Sequence, residues 1–432
     1  MKVHPRLWVY NYDFEFELAN ELRTYRKDSG FHPWYFLNRS WHVMLPLSSS
    51  SDNILVYENP HPQISALLKE KLGYLPGFVV LQPAYESNAV FEDLKPRGSV
   101  HLPAGMGTLV PWGWSPKAVA FGKEIGSYVP EKKNLQTVNR VNSKITSHLL
   151  RQHFLPQTQQ IPDRIIEETD LRKEGLETLL NRFLQHQGPG FIKHPYGSAG
   201  RLSDRCASTG FSGRKIRKWE NWIRATGGIL LEKAIAIKQE WSIQVQIDED
   251  GILHPIALTR LFSGTQGNYL GTVVADEDQN QLDWHRTRLS PVLDEIVAMG
   301  YQGPLGVDLI ETVDGTVRLL EINGRLTMGR IAFEWHRAIA DLPVSLLTTL
   351  FFRSGGILET DAILDRIRES EQQFGCRMTL LNVVPDLTQN SFMIALLIAA
   401  EKPAGLWQIL DDIKQRVKRD LQPTGKKEKS PV

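Results

Sequence analysis

Cysteine is scarce: Cys206 and Cys376 are the only two in 432 residues. Two thiols cannot build a disulfide framework, and their rarity favours a reducing compartment. An excess of one charge is missing as well. The formal net charge is +1, so no global field draws the chain to nucleic acid or to an anionic membrane. Long apolar runs are absent; the longest, FMIALLIAA within 392–400, falls well short of the ~20 residues that a membrane span needs. The opening stretch MKVHPRLWVYNYDFEF has no apolar core of the signal-peptide kind. No Gly-x-Gly-x-x-Gly follows the first strand pattern, and no P-loop motif occurs. There is no internal repeat. With 41% hydrophobic and 23% charged residues, the expectation is a soluble cytoplasmic protein of two or three domains.

Residues 1–115 mix strand patterns (RLWVY, NILVYE, GFVVLQP), a helix after the first of them, and turn-rich stretches such as LPLSSSSDN and HLPAGMGTLVPWGWSP. They read as an α/β domain. From residue 137 the patterns sharpen. Asn142 or Ser143 is placed to cap a helix running to about residue 154. Leu176, Leu179, Leu180, Phe183 and Leu184 recur at helical spacing before Gly188-Pro-Gly190. FIKHP, GILLEKAIAI, EWSIQVQID and ILHPIALTRLF read as strands, the last two joined by a turn at 248–251. LSPVLDEIVAMG is an amphipathic helix, and MTLLNVV a later strand. The division expected is 1–136, 137–345, 346–420 and a solvated tail, 421–432.

One stretch carries chemistry. In TVRLLEINGRLTMG, polar side chains recur at Glu321, Asn323 and Arg325. The preceding Asp314-Gly315 is a strong two-residue hairpin turn. Pairing through it sets Asp308 opposite Glu321 and Gly306 opposite Asn323, with Val307, Leu309, Leu320 and Ile322 on the other face. Two carboxylates would then face each other with Cβ atoms about 4.5–5.5 Å apart. A cation relieves that repulsion, and an all-oxygen set suits Mg²⁺ held with phosphates. Zinc would want His or Cys. The bland alternative is an exposed strand end paired with surface lysines.

Magnesium held with phosphates calls for phosphate binders as well. Lys193 ends a strand before a loop with Gly197, Ser198 and Gly200, whose backbone N–H groups can form an anion nest; taken alone, the loop is better read as a plain surface turn. ILLEKAIAIKQEW carries Glu232, Lys233 and Glu240, either an adenine and ribose site or a strand edge with surface charges.

The order of these segments, over 137–330, resembles the ATP-grasp superfamily. The resemblance implies an α/β (α+β) ATP-grasp fold behind an N-terminal α/β domain. It implies Lys144 (in VNSKITSHLL) and Lys193 on the nucleotide phosphates, with Gly197 and Ser198 in the closing loop. Glu232 and the backbone of Lys233 and Ile235 would meet adenine, and Glu240 the ribose. Asp308, Glu321 and Asn323 would hold two Mg²⁺ ions, with Mn²⁺ as a substitute. Arg325 would face the transferred phosphoryl or an anionic substrate. Arg260, after the hinge hairpin, is a candidate anion binder or a solvated strand-end arginine, and Asn268 a weaker candidate. The loop YGSAGR is poorer in glycine than in most relatives. His194 and His336 are read as structural.

Most members join a carboxylate to an amine through an acylphosphate, releasing ADP and phosphate. The expected function is such a ligase, on an amino acid or small peptide among other substrates. Kinase or carboxylase-like chemistry, or a non-catalytic ATP-binding module, are the alternatives; no biotin-attachment Met-Lys motif is present. Partners would be small carboxylates and amines, with neither nucleic acid nor membrane. A homodimer is compatible with the resemblance.

Overall fold

The computed structural model describes residues 5–19, 40–56, 58–80, 107–197, 202–207, 210–263, 269–353, 358–386 and 391–421. Short apolar segments punctuated by glycine and proline give its strands, which lie in three sheets. The first holds β1 (Arg6–Val9), β2 (Asn53–Val56), β3 (Gly77–Val80) and β4 (Thr108–Pro111), all parallel, in the order β3-β2-β1-β4. Parallel neighbours need long crossovers, and the helix Pro62–Leu72 supplies one between β2 and β3. Strand β4 comes from a stretch read as turn-rich; four residues are too few for a visible period. Strand order reverses between β1 and β4, so their carboxyl ends open a crevice. There Asn11 Nδ2 donates to the Gly113 carbonyl at 2.8 Å, and Gly113 N–H donates back to Asn11 Oδ1 at 3.3 Å.

The second sheet is antiparallel: β5 (Asp163–Glu167), β6 (Gly190–Lys193), β7 (Ser203–Cys206) and β8 (Gly228–Lys233), in the order β5-β8-β6-β7. One face is apolar. Ile166, Ile192, Ile229 and Leu231 pack under Leu179, Leu180, Trp219 and Trp222 of the helices Leu176–Gln187 and Gly213–Thr226. By alternation the other face carries Asp163, Lys193 and Glu232.

The third sheet has eight antiparallel strands: β9 (Ile237–Ile247), β10 (Leu253–Ser263), β11 (Tyr269–Ala275), β12 (Gly303–Thr312), β13 (Val317–Asn323), β14 (Val344–Arg353), β15 (Arg377–Asp386) and β16 (Ser391–Ala400). Their order is β13-β12-β9-β10-β11-β14-β16-β15. The greasy run at 392–400 is β16, buried at every position between β14 and β15, which explains its unbroken apolar character. A division at 345/346 falls inside β14, and the segment beyond continues this same sheet. The helix Leu282–Ala298 closes one face, over Ile243, Leu258 and Val307. Only residues 234–236 separate β8 of the small sheet from β9 of the large one.

Candidate active site

The β12–β13 hairpin places Asp308 opposite Glu321 and Gly306 opposite Asn323, as the sequence predicts. The route differs. Thr312 N–H donates to the Thr316 carbonyl, leaving a three-residue loop, Val313-Asp314-Gly315, with Gly315 at φ +80°. That loop alone would pair Asp308 with Leu320. A bulge between Asp308 and Leu309 restores the register, so the two departures cancel at the site. The bulge also brings Leu319, rather than Leu320, into the core beside Leu309 and Ile322. Gly306 is required by space: a Cβ there would lie 2.4 Å from Thr327 Cγ2.

The helix Lys144–Phe154 lies along β13 and fixes this geometry. Ser143 occupies its N-cap position without a side-chain cap bond, and the first helical N–H, on Lys144, donates to the Pro195 carbonyl at 2.8 Å. Lys144, Ser147 and Arg151 share one helical face. Lys144 Nζ meets Glu321 Oε2 at 2.5 Å and the Gly197 carbonyl at 2.7 Å. Ser147 Oγ accepts the Ile322 N–H at 3.0 Å. Arg151, fully buried, donates to the carbonyls of Leu320 at 2.9 Å and Leu319 at 3.4 Å, where the bulge disturbs the ladder. The same guanidinium ion-pairs with Asp163 and reaches Glu232 Oε2 at 3.6 Å. His148 Nδ1 lies 2.8 Å from Asp163 Oδ1, and burial holds His148 down to about 4. The sequence reading missed Arg151. The available signal was a polar stripe on an otherwise amphipathic helix.

Across the crevice, Lys193 Nζ meets Glu232 Oε1 at 2.5 Å. Asp308 accepts from Ser242 Oγ at 2.6 Å and from Asn323 Nδ2 at 2.9 Å. Ser242 Oγ in turn accepts from Gln244 Nε2 at 2.8 Å, and Thr327 Oγ1 donates to Gln244 Oε1. This buried chain orients the Asp308 carboxylate. Burial, then the charge of Glu321, pushes Asp308 up to about 7. Burial also opposes charge on Glu321, but Lys144 and Lys193 hold it below its ordinary value. Glu240 lies on the same face of β9 as Ser242 and adds to the negative field at Asp308.

Among the described residues no three His, Cys, Asp or Glu side chains cluster as a metal site; here the third group is an amide. The donor set nevertheless fits a hard divalent cation. Two half-buried carboxylates face each other, with only oxygen ligands at hand. As it stands, the Asn323 amide donates to Asp308 and accepts from Arg325 Nη2 at 3.1 Å, so a ligand role requires it to turn.

Arg325 is buried beside Asn323, and its Nε donates to Glu15 Oε1 at 2.6 Å. Its guanidinium lies 5.6 Å from the Trp112 ring centroid. The N-terminal domain thus reaches the hairpin through Glu15 and Trp112, neither of which the sequence reading singled out. Arg260 is not brought here. It pairs opposite Trp241, whose side chain belongs to the core on the far face, and ion-pairs with Asp278 and with Glu277 at 3.2 Å. Ser198 and Asn268 lie outside the described residues. Lys233 and Ile235 sit where β8 crosses toward β9, and Lys233 N–H donates to the Pro162 carbonyl at 2.9 Å. His194 is buried with Nδ1 accepting the Tyr196 N–H at 3.1 Å, and His336 lies between Ser345 and Asp276, consistent with structural roles.

A small antiparallel sheet facing a large one, with lysines and acids converging between them, is the ATP-grasp fold. Solved structures with this fold include N5-carboxyaminoimidazole synthetase from Staphylococcus aureus complexed with ADP, at 12% identity and TM-score 0.54, over 96% of this chain and 98% of that one. L-amino acid ligase from Bacillus licheniformis matches at 13% identity and TM-score 0.50, over 96% and 98%. The biotin carboxylase domain of Hydrogenobacter thermophilus 2-oxoglutarate carboxylase, in complex with MgADP and bicarbonate, matches at 14% and 0.51, over 97% and 90%. At these identities the likeness is one of fold. No family model matches the sequence, and no curated protein matches it.

Proposed function

We propose that the chain is an ATP-dependent ligase that joins a carboxylate to an amine through an acylphosphate. One observation carries this reading: Asp308 and Glu321 oppose each other on a half-buried face, with Lys144 on Glu321 and Lys193 near it on Glu232. Phosphoryl transfer needs positioning and charge neutralisation more than a covalent protein group. Asp308, Glu321 and Asn323 would hold two Mg²⁺ ions, which when bound offset charge on the β- and γ-phosphates. Lys144 and Lys193 would leave their carboxylates for the phosphate oxygens, with Gly197 and Ser198 at the covering loop. Lys233 and Ile235 would read the adenine edge beside Glu232, and Glu240 would take the ribose.

The substrate carboxylate oxygen attacks the γ-phosphorus, and the bond to the ADP oxygen breaks. The amine nitrogen then attacks the acyl carbon, phosphate leaves as the C–N bond forms, and the nitrogen gives up one proton to solvent or to the departing phosphate. Arg325 would bind the anionic acyl phosphate by exchanging Glu15 for it. Residues 1–136 would supply the acceptor wall. ADP release, screened over pairs of amino acids and small carboxylic acids, tests the reading. The productive pair should also yield a hydroxamate when hydroxylamine replaces the amine. ADP release with no hydroxamate would instead mark a kinase.

A further inference from the structure

The nucleotide hinge has a feature that the ligand set alone does not explain. In an antiparallel ladder, residues of a hydrogen-bonded pair exchange two bonds, one in each direction. Lys233 N–H donates to the Pro162 carbonyl at 2.9 Å, which makes these two such a pair, one step beyond Asp163 and Glu232. The return bond cannot form, because proline has no N–H. The Lys233 carbonyl therefore has no ladder donor, and no other bond to it occurs among the described residues. The same holds one residue on: Ala234 N–H donates to the Pro189 carbonyl at 2.8 Å, and Pro189 returns nothing. On a two-sided strand these carbonyls point opposite ways. That of Lys233 points toward the β5 side.

We infer that Pro162 is a specificity-determining residue for the nucleotide: by withholding an N–H it keeps the Lys233 carbonyl open as the acceptor for the 6-amino group of adenine. This rests on the reading above, in which the β8-to-β9 crossing binds ATP. Any other residue at 162 would supply an N–H aimed at that carbonyl and compete with the adenine amine for it. Pro162 touches no reacting atom and acts only through Lys233. A purine with a 6-oxo group would oppose one oxygen to another, and a purine with no 6-substituent would leave the carbonyl unpaired.

The test is equilibrium binding of Mg·ATP and of purine riboside triphosphate, which lacks the 6-amino group, to the full chain and to Pro162→Ala and Pro189→Ala. The wild-type chain should prefer ATP by about tenfold, the worth of one amine–carbonyl bond. Pro162→Ala should bring that ratio close to one by weakening ATP alone. Pro189→Ala should keep the wild-type ratio. A ratio unchanged in Pro162→Ala overturns the inference, as does its collapse in Pro189→Ala instead. A wild-type chain that binds both nucleotides equally overturns it whether or not the variants fold, and leaves the ligase reading standing. A wild-type chain that binds neither sinks both.

Discussion

Asp308 and Glu321 are the pair on which the proposed site turns, and their environments differ. Glu321 has Lys144 at 2.5 Å, whereas Asp308 has only neutral donors, Ser242 and Asn323. Glu321→Gln should abolish Mg·ATP-dependent ADP formation while thermal melting shows an intact fold; undiminished ADP release would remove Glu321 from the site. Asp308→Asn should stabilise the metal-free protein. The Asp308 carboxyl is raised to about 7 from 3.8, so the folded state binds the extra proton between those values. Stability is then lost as pH rises through that window, and an uncharged amide avoids the loss. At about pH 8 without divalent cations the gain should be ~2 kcal/mol in urea unfolding, and Mg²⁺ should stabilise the wild type but not the variant. A variant less stable than wild type at that pH would contradict the repulsion. These residues were legible because alternation along a strand is a strict rule. Arg260 came from the resemblance and not from this rule, and the structure sets it opposite Trp241, paired with Asp278 and Glu277.

Among elements, the hairpin and the helix Lys144–Phe154 work as one unit. Turn chemistry announced a hairpin, but a three-residue loop and a bulge are set by packing, and nothing in Asp314-Gly315 separates them from a two-residue turn. The bulge needs partners for its disturbed carbonyls, and Arg151 provides them while neutralising Asp163 and Glu232. Arg151→Met should leave Asp163 buried without its cation and Glu232 with Lys193 alone, and cost about 3–5 kcal/mol, read as a lower urea midpoint. Its Mg·ATP turnover should fall as well, because the register that aligns Asp308 with Glu321 loses its support. A loss under ~1 kcal/mol would mean that the ladder holds the bulge unaided. The segment order along 137–330 was readable from sequence. The joining of both sheets through one arginine was not, because a buried cation on an amphipathic helix looks like any surface arginine until its neighbours are known.

At the scale of the molecule, the N-terminal parallel sheet and the far end of the large sheet share one core. Trp8, Trp41, Met44 and Ile54 cluster with Trp335, Ile363, Leu380 and Phe392. Composition shifts along the chain suggest separable domains, but shared burial between distant segments leaves no local mark, so this seam was invisible in the sequence. His42 lies in it. Its carbonyl accepts from Trp335 Nε1 at 3.2 Å, and its Nδ1 lies 3.2 Å from Asn382 Nδ2. Burial lowers His42 to about 3 from 6.5, so the imidazole is neutral in the fold and charges readily once unfolded. The unfolded state binds more protons between those values, and stability present above about pH 6.5 is lost as pH falls toward 3. His148, His194 and His285 are each lowered to about 4 and add their own acid sensitivity. Comparing the wild type with His42→Gln isolates the seam, because the other three are common to both. The variant should be the less stable near neutrality, where it has lost the ring's packing. By about pH 4.5 the wild type should have given up about 2–3 kcal/mol more than the variant. Their urea-derived stabilities should therefore converge or cross on acidification. Curves that stay parallel would show that His42 is not held neutral by this core, and that the seam is open to water.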